Sequence, residues 1–547
     1  MTLITDSEVQ NARAVEPLRL NSIVWAAVVA LFGVSLVFRL LWLDRIPGID
    51  GDEGWYGVQV TRMLHGKEWS PLTPSKLPIN PQLFLTEAAV LLVLEPSGFV
   101  LRLPIAIWAC VGIALTYRLH SWVFGDRVEA VLTALVTACL PAHLAYSRFC
   151  WDSSFAWVSL PILLYATLRI VSRAATSTAW VCLVIGAILT VWTHATHAVF
   201  VVACLLAIGW TWFKPWCRRA WTTKNRRQPI AVLGVAVLVV CVVMGQDLLI
   251  RSVAYGDMWL ASRWSIGRRL IATLLDLMTG VRAYEYIAGV PRPSWTGVLY
   301  SVTLVASGAC LLALVRSEWP ADRTLAMLFP MLLGMLLVPV VSNQLRYGSL
   351  SYERYVIYFV PLGITAFVRA MRALGGRMGR WGGRVPPIVS IAIAGLFLAQ
   401  FWHYYFDALR EHTYWERLRV TPQRTFGTGP IEPKQAAADA ILKMTDLSAP
   451  LRVYAEDYFI RQPLDYLMGG RFEVQERSIQ FESRVRICVV GYSGASQLAE
   501  AQTAANQFGW KVTEQFFGDS RGNPIVTLLV LEESDRSVAG ERADVAR

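Results

Sequence analysis

Apolar residues fall in runs of about seventeen or more near 22–43, 99–118, 128–146, 153–171, 178–195, 197–213, 229–250, 296–315, 323–342, 354–371 and 386–403. Each run is long enough for a helix that crosses a bilayer, so the pattern predicts a polytopic α-helical membrane protein with about eleven spans. The stretch 178–213 is nearly continuous and is broken only by Thr193-His194-Ala195-Thr196-His197, which predicts a tight hairpin. Leu83 to Glu95, LFLTEAAVLLVLE, is apolar but too short to span, and fits a helix lying in the membrane interface. After residue 404 the apolar runs shorten to strand length and charge rises. Helices are expected at 432–446, near 457–468 and at 493–507. Strands are expected at Leu451–Ala455, Phe472–Arg477, Val485–Val490, Trp510–Phe517 and Pro524–Leu531. That alternation predicts a small α/β domain over 404–533, large enough to hold a core of its own, followed by a charged, disordered tail at 534–547.

Composition agrees with the bilayer as solvent. Of 547 residues, 55% are hydrophobic and 17% charged, and the mean hydropathy is +0.43. The formal charge of +11 and the pI near 9.3 do not point to nucleic acid, because the basic residues sit in short segments between apolar runs rather than in one stripe. With residues 1–21 as a cytoplasmic tail and the first run as a signal anchor, the inner gaps hold Arg118 and Arg127, Arg169 and Arg173, and Lys214, Arg218, Arg219, Lys224, Arg226 and Arg227. The later inner gaps hold Arg316 and Arg323, then Arg369, Arg372, Arg377, Arg380 and Arg384. This is the positive-inside excess, and it predicts a multi-pass protein of the plasma (inner) membrane. The same orientation places outside the loops 44–98, 147–152, 251–295 and 343–353, together with the α/β domain. Nine cysteines show no CxxC pair, and most lie in apolar runs, where a thiol behaves as a small hydrophobe.

Acidic residues are costly at bilayer depth, and here they gather at span ends and in the outer loops. The densest group is Ile46 to Gly57, IPGIDGDEGWYG, with Asp50, Asp52 and Glu53 among four glycines. Glycines allow close approach of a ligand, and adjacent carboxylates offer one that serves as a base; the other reading is a solvated turn after the first helix. Asp152 follows Arg148 by four residues, a spacing that allows either a mutual ion pair at a helix start or a joint site with Asp52 and Glu53. Lys76, Arg346 with Tyr347, and Glu353-Arg354-Tyr355 supply outer cations beside tyrosines. They fit phosphate and sugar contacts, or equally anchors at the headgroups. Arg263, Arg268, Arg269, Arg282 and Tyr284 make an amphipathic surface segment of the loop 251–295. His194 and His197 have metal-compatible spacing but no third ligand in view, which favours a hairpin role. The α/β domain shows no phosphate loop, triad or zinc pattern, so docking or acceptor recognition is its default role.

With these residues in place, 22–403 resembles the bacterial branch of the membrane glycosyltransferases of the C-type fold. That branch is related to protein O-mannosyltransferases and aminoarabinose lipid A transferases (glycosyltransferase family 39-like). The resemblance is carried by the Asp52-Glu53 pair followed by Gly-Trp-Tyr, by Lys76-Leu77-Pro78 where the family has adjacent lysine and proline, by Asp152 after Tyr146-Ser147-Arg148, and by Glu353-Arg354-Tyr355. It implies an enzyme that transfers a sugar, a hexose or pentose, with inversion from a polyprenyl-phosphate donor to a lipid, glycan or protein acceptor on the outer face. On that resemblance Asp52 is the base, Glu53 assists or orients it, and Asp152 positions an arginine or the sugar. Tyr56, Lys76, Arg148, Arg346, Tyr347, Arg354 and Tyr355 bind substrate. No cofactor is required, since basic side chains neutralise the phosphate, although related oligosaccharyltransferases use a divalent ion. The competing classes are a transporter or lipid flippase, which predicts mid-bilayer charges and repeated halves that the sequence does not show, and a noncatalytic membrane assembly protein.

Overall fold

In a computed structural model, the structure describes residues 21–74, 78–172, 174–222, 263–341, 356–375 and 383–411, and, with short gaps, 431–533. The first long helix, α1 (Ser22–Leu40), begins at Asn21, whose side chain accepts the Val24 N–H. Two shorter helices follow, α2 (Gly51–Leu64) and α3 (Pro81–Leu91). Next come α4 (Gly98–Phe124), α5 (Arg127–Cys139), α6 (Pro141–Tyr146), α7 (Ala156–Val171), α8 (Ser177–Thr193) and α9 (Ala198–Thr222). The helical part closes with α10 (Arg263–Thr279), α11 (Val281–Ile287), α12 (Thr296–Val315), α13 (Pro320–Val341), α14 (Phe359–Gly375) and α15 (Val385–Phe401). A π-helical segment carries α15 on toward Arg410.

Among the described residues five helices are long and apolar enough to cross a membrane: Ser22–Leu40, Gly98–Phe124, Asp152–Val171, Thr296–Val315 and Val385–Arg410. Ser177–Thr193 and Ala198–Thr211 are shorter apolar helices. The predicted count of about eleven is therefore not reproduced, and the run at 229–250 lies outside the described residues. Other expectations shift for local reasons. The run at 128–146 is split at Leu140, because Pro141 starts a new helix and pushes the residue before it out of the helical region. The hairpin turns through an extended His194 and a short 3₁₀ turn at Ala195–His197.

The C-terminal domain is a five-stranded sheet flanked by helices. Its strands are β1 (Leu451–Ala455), β2 (Val474–Gln475), β3 (Arg486–Tyr492), β4 (Trp510–Gly518) and β5 (Pro524–Glu533), in the order β2-β1-β3-β5-β4. β1 runs parallel to β2 and β3, and β5 runs antiparallel to β3 and β4. Its helices are α16 (Ile431–Met444), α17 (Tyr458–Leu467) and α18 (Ser496–Gln507). The domain does not hang from the bundle by a linker alone. One hydrophobic core takes in Ile49, Trp55, Tyr56, Leu83, Leu101 and Phe155 from one end of the helical part and Ile441, Val453, Ile460, Leu464 and Val490 from the domain.

Candidate functional site

The acidic segment after α1 is not an irregular loop. Asp50 is the N-cap of α2: its side chain accepts the Asp52 N–H at 3.0 Å, and the Glu53 side chain reaches back to the Asp50 N–H at 3.1 Å. This reciprocal arrangement satisfies two of the amides that a helix start leaves unpaired. It also sorts the three acids by environment. Asp50 and Glu53 are fully buried, whereas Asp52 remains half-buried.

Glu53 is committed to structure. Arg102, fully buried on α4, donates to it at 3.0 and 2.7 Å as a bidentate pair, and the Cys150 N–H donates to it at 2.7 Å. The same guanidinium reaches the carbonyls of Leu43, Pro47 and Gly48 at 3.2, 2.6 and 2.9 Å. A planar five-donor cation suits this role, because it closes an ion pair and three orphan carbonyls at once. Asp50 is held from the other side by the Trp151 indole N–H at 2.9 Å.

Asp52 and Tyr56 lie one turn apart on α2 and share a face. Asp152 starts the 3₁₀ turn Asp152–Phe155 and is half-buried. Asn80 ties this turn down: its amide donates to the Asp152 carbonyl at 3.3 Å while its oxygen caps α3. Burial raises the Tyr56 phenol well above its ordinary pKa, and the negative charges of Asp152 and then Asp52 raise it further, against a backbone hydrogen bond at Asn80. Tyr56 is thus a neutral phenol under the influence of both carboxylates, and the structure brings Asp52, Tyr56 and Asp152 together.

Behind them sits a buried acid that sequence reasoning missed. Glu87 on α3 is fully buried, and burial followed by the charge of Glu53 pushes its pKa well up. Two carboxyls in one dry site cannot both ionise cheaply, so Glu87 is held neutral beside the paired Glu53. The Cys150 thiol lies 3.9 Å from Glu87 Oε2, and burial, Glu87 and Glu53 raise it in turn.

Arg148 takes a different place from the one expected. It neither sits on a helix with Asp152 nor faces the acidic cluster. Its guanidinium donates to the carbonyls of Phe38, Leu41, Trp42 and Ile46, at 2.5, 2.7, 3.2 and 2.6 Å, and lies 4.9 Å over the Phe406 ring. Burial lowers its pKa to about 10, which still leaves a cation at neutral pH. Because the last carbonyls of a helix have no partners within it, a buried arginine there closes the end of α1.

The glycines of the acidic segment serve packing rather than a loop. Gly51, Gly54 and Gly57 form a stripe at i, i+3, i+6 on α2, and α17 of the C-terminal domain lies along it. A Cβ on Gly51 would stand 2.5 Å from Tyr458 Cδ1, one on Gly54 would stand 2.6 Å from the Pro463 nitrogen, and one on Gly57 would enter the Tyr466 ring. Polar contacts surround this seat. Arg62 pairs with Asp465 at 3.2 Å, Lys67 donates to the Gly470 carbonyl at 2.8 Å, and Tyr466 donates to the Ser97 carbonyl at 3.2 Å. Lys434 on α16, fully buried, donates to the carbonyls of Ile49 and Phe459 at 3.1 Å each. Burial brings its pKa down to about 8, against the pull of Asp457, Asp50 and Glu53. Tyr458 completes the contact, its hydroxyl 3.4 Å from Asp52 Oδ1.

Lys76, Arg346, Tyr347, Arg354 and Tyr355 lie outside the described residues. Among the described residues no three of His, Cys, Asp and Glu gather as metal ligands. His194 instead hydrogen-bonds Thr196 within the hairpin at 2.6 Å.

No family model matches this chain, and no curated protein matches it. Solved structures do. ArnT from Cupriavidus metallidurans in the apo state superposes over 93% of this chain and 98% of its own, with a TM-score of 0.53 at 14% identity. The fold is that of ArnT. A second structure of that ArnT, bound to undecaprenyl phosphate, covers 94% of this chain and 99% of its own, with a TM-score of 0.44 at 17% identity. At such identity the likeness to the apo structure is one of architecture alone, across nearly the whole of both chains.

Proposed function

We propose that this chain is an inverting glycosyltransferase that moves a sugar from a polyprenyl-phosphate donor to an acceptor on the outer face of the membrane, with Asp52 as the base. The observation that carries the proposal is the sorting of the two adjacent acids, Glu53 locked to Arg102 and Asp52 left half-buried with Tyr56 and Asp152. It is supported by the ArnT-like fold and by the resemblance of the Asp52-Glu53 segment to the family's outer loop.

In this reading the acceptor hydroxyl attacks the anomeric carbon, its proton passes to Asp52, and the bond from that carbon to the phosphate oxygen breaks. The electron pair leaves with the lipid phosphate. Glu53 orients the base by fixing the start of α2, Tyr56 donates a hydrogen bond without ionising, and Asp152 positions the sugar. Arg354, Arg346 and Lys76, with Tyr347 and Tyr355, are the groups proposed to meet the phosphate and sugar, since electrostatic stabilisation of a leaving phosphate needs preorganised cations. Arg148 is not among them, because its donors hold the end of α1.

The test is transfer by membranes containing the wild-type chain, supplied with a panel of polyprenyl-phosphate sugars and lipid, glycan and peptide acceptors. The proposal expects a glycosylated product of inverted anomeric configuration and release of the lipid phosphate. A product of retained configuration overturns the single-base mechanism. Donor crossing the membrane without sugar transfer would show a flippase instead.

A further inference from the structure

The C-terminal domain reaches the acid assigned as base through Tyr458. Tyr458 is the first residue of α17, and its position is set on several sides. Asp457 caps the helix by accepting the Phe459 and Ile460 N–H groups at 2.9 and 3.1 Å. The Tyr458 ring lies on Gly51, where no larger residue would fit, and packs edge-on to Phe459 with centroids 5.7 Å apart. Behind it, Gly54 and Gly57 hold α17 in register against α2, and Arg62–Asp465 pins the far end of the two helices. The register leaves the phenol oxygen 3.4 Å from Asp52 Oδ1.

We propose that Tyr458 is a positioning residue for the Asp52 carboxylate, so that the C-terminal domain completes the active site rather than only presenting an acceptor. The inference rests on the glycosyltransferase reading and on Asp52 as its base. An aspartate on the first turn of a helix has several staggered rotamers, and only some aim an oxygen at a bound hydroxyl. A phenol that donates to Oδ1 selects among them and so aims the carboxylate. At 3.4 Å the bond is long for O–H···O, as catalytic hydrogen bonds often are before substrate tightens them. The titratable and charged groups around the pair are Asp50, Tyr56 and Asp152 from the helical part and Arg461 from the domain.

Tyr458→Phe keeps the ring on Gly51 and removes only the donor. The expected result is an unchanged thermal midpoint and donor KM with a kcat lower by about tenfold. A wild-type kcat overturns the inference and leaves Tyr458 a packing residue. Asp52→Asn run in parallel separates the two levels. If it abolishes transfer while Tyr458→Phe changes nothing, only the positioning role fails; if it transfers normally, the base assignment itself fails. A readout independent of turnover is the infrared carboxylate stretch of Asp52 at fixed pH, identified by its loss in Asp52→Asn. Its frequency shifts in Tyr458→Phe if the phenol holds the carboxylate, and an unmoved band again overturns the proposal.

Discussion

Helix α4 carries a buried ionic cluster at each end, roughly 27 Å apart along its axis, close to the thickness of a hydrocarbon core. At the end near residue 120, Arg369 pairs with Glu129 at 3.1 Å and with Asp322 at 2.8 Å, and Glu129 also meets His120 at 2.9 Å. The guanidinium lies over the rings of Phe124 and Trp319, at 4.3 and 5.4 Å, and the group ties α4, α5, α13 and α14 together. At the other end Arg102 holds Glu53 and three carbonyls, but the acids beside it are not all enclosed. Asp52 and Asp152 stay half-buried next to a neutral Tyr56. The comparison teaches that a buried ion pair by itself marks construction. The proposed chemistry sits instead at half-buried acids that such a pair holds in place.

The largest effect that can break the comparison is removal of either arginine. Arg369→Ala strands two buried carboxylates and Arg102→Ala strands one, and each is expected to destabilise the protein by about 3–5 kcal/mol, with Arg369→Ala the more severe. Thermal unfolding in detergent checks both. A stably folded Arg102→Ala that lost transfer would make Arg102 part of the chemistry and dissolve the distinction. A smaller effect is expected at the seat of the C-terminal domain. Gly57→Ala drives a methyl into Tyr466 and is expected to cost about 1–3 kcal/mol and to speed limited proteolysis between the domains. Gly33→Ala on α1, where a Cβ meets nothing within 4 Å, is the matched control and is expected to change neither.

A pH-dependent effect concerns Lys434. With its folded pKa brought from 10.5 to about 8, the unfolded chain binds more protons between those values, so stability rises as pH increases from 8 to 10.5. Burial of the cation is therefore most unfavourable below pH 8. Lys434→Met is expected to flatten that rise, read as the thermal midpoint against pH. A slope equal to wild type would place the titration elsewhere.

Much of the architecture was legible because it follows from local periodicity. The apolar runs locate the long helices, and the change of period after residue 404 locates strands such as Leu451–Ala455 and Pro524–Glu533 to within a residue or two. The acidic segment was legible as a dense group of acids and glycines but not as a helix. The signal was present in Asp50-x-x-Glu53, a capping box, and in Gly51, Gly54 and Gly57, whose spacing makes a stripe only once the segment is helical. Partnerships were not legible. Arg102 stands alone in an apolar run, 49 residues from Glu53, and Tyr458 is 406 residues from Asp52. Nothing local distinguishes Arg148 bound to the carbonyls of α1 from an arginine facing a phosphate, because the choice depends on where the chain returns.

The most direct test of the account is the initial rate of sugar transfer by Asp52→Asn beside wild type, with thermal stability measured on the same preparations. The account predicts a variant as stable as wild type whose transfer falls by about 10²- to 10⁴-fold, the range expected for loss of a general base. Transfer at the wild-type rate from a folded Asp52→Asn would contradict it.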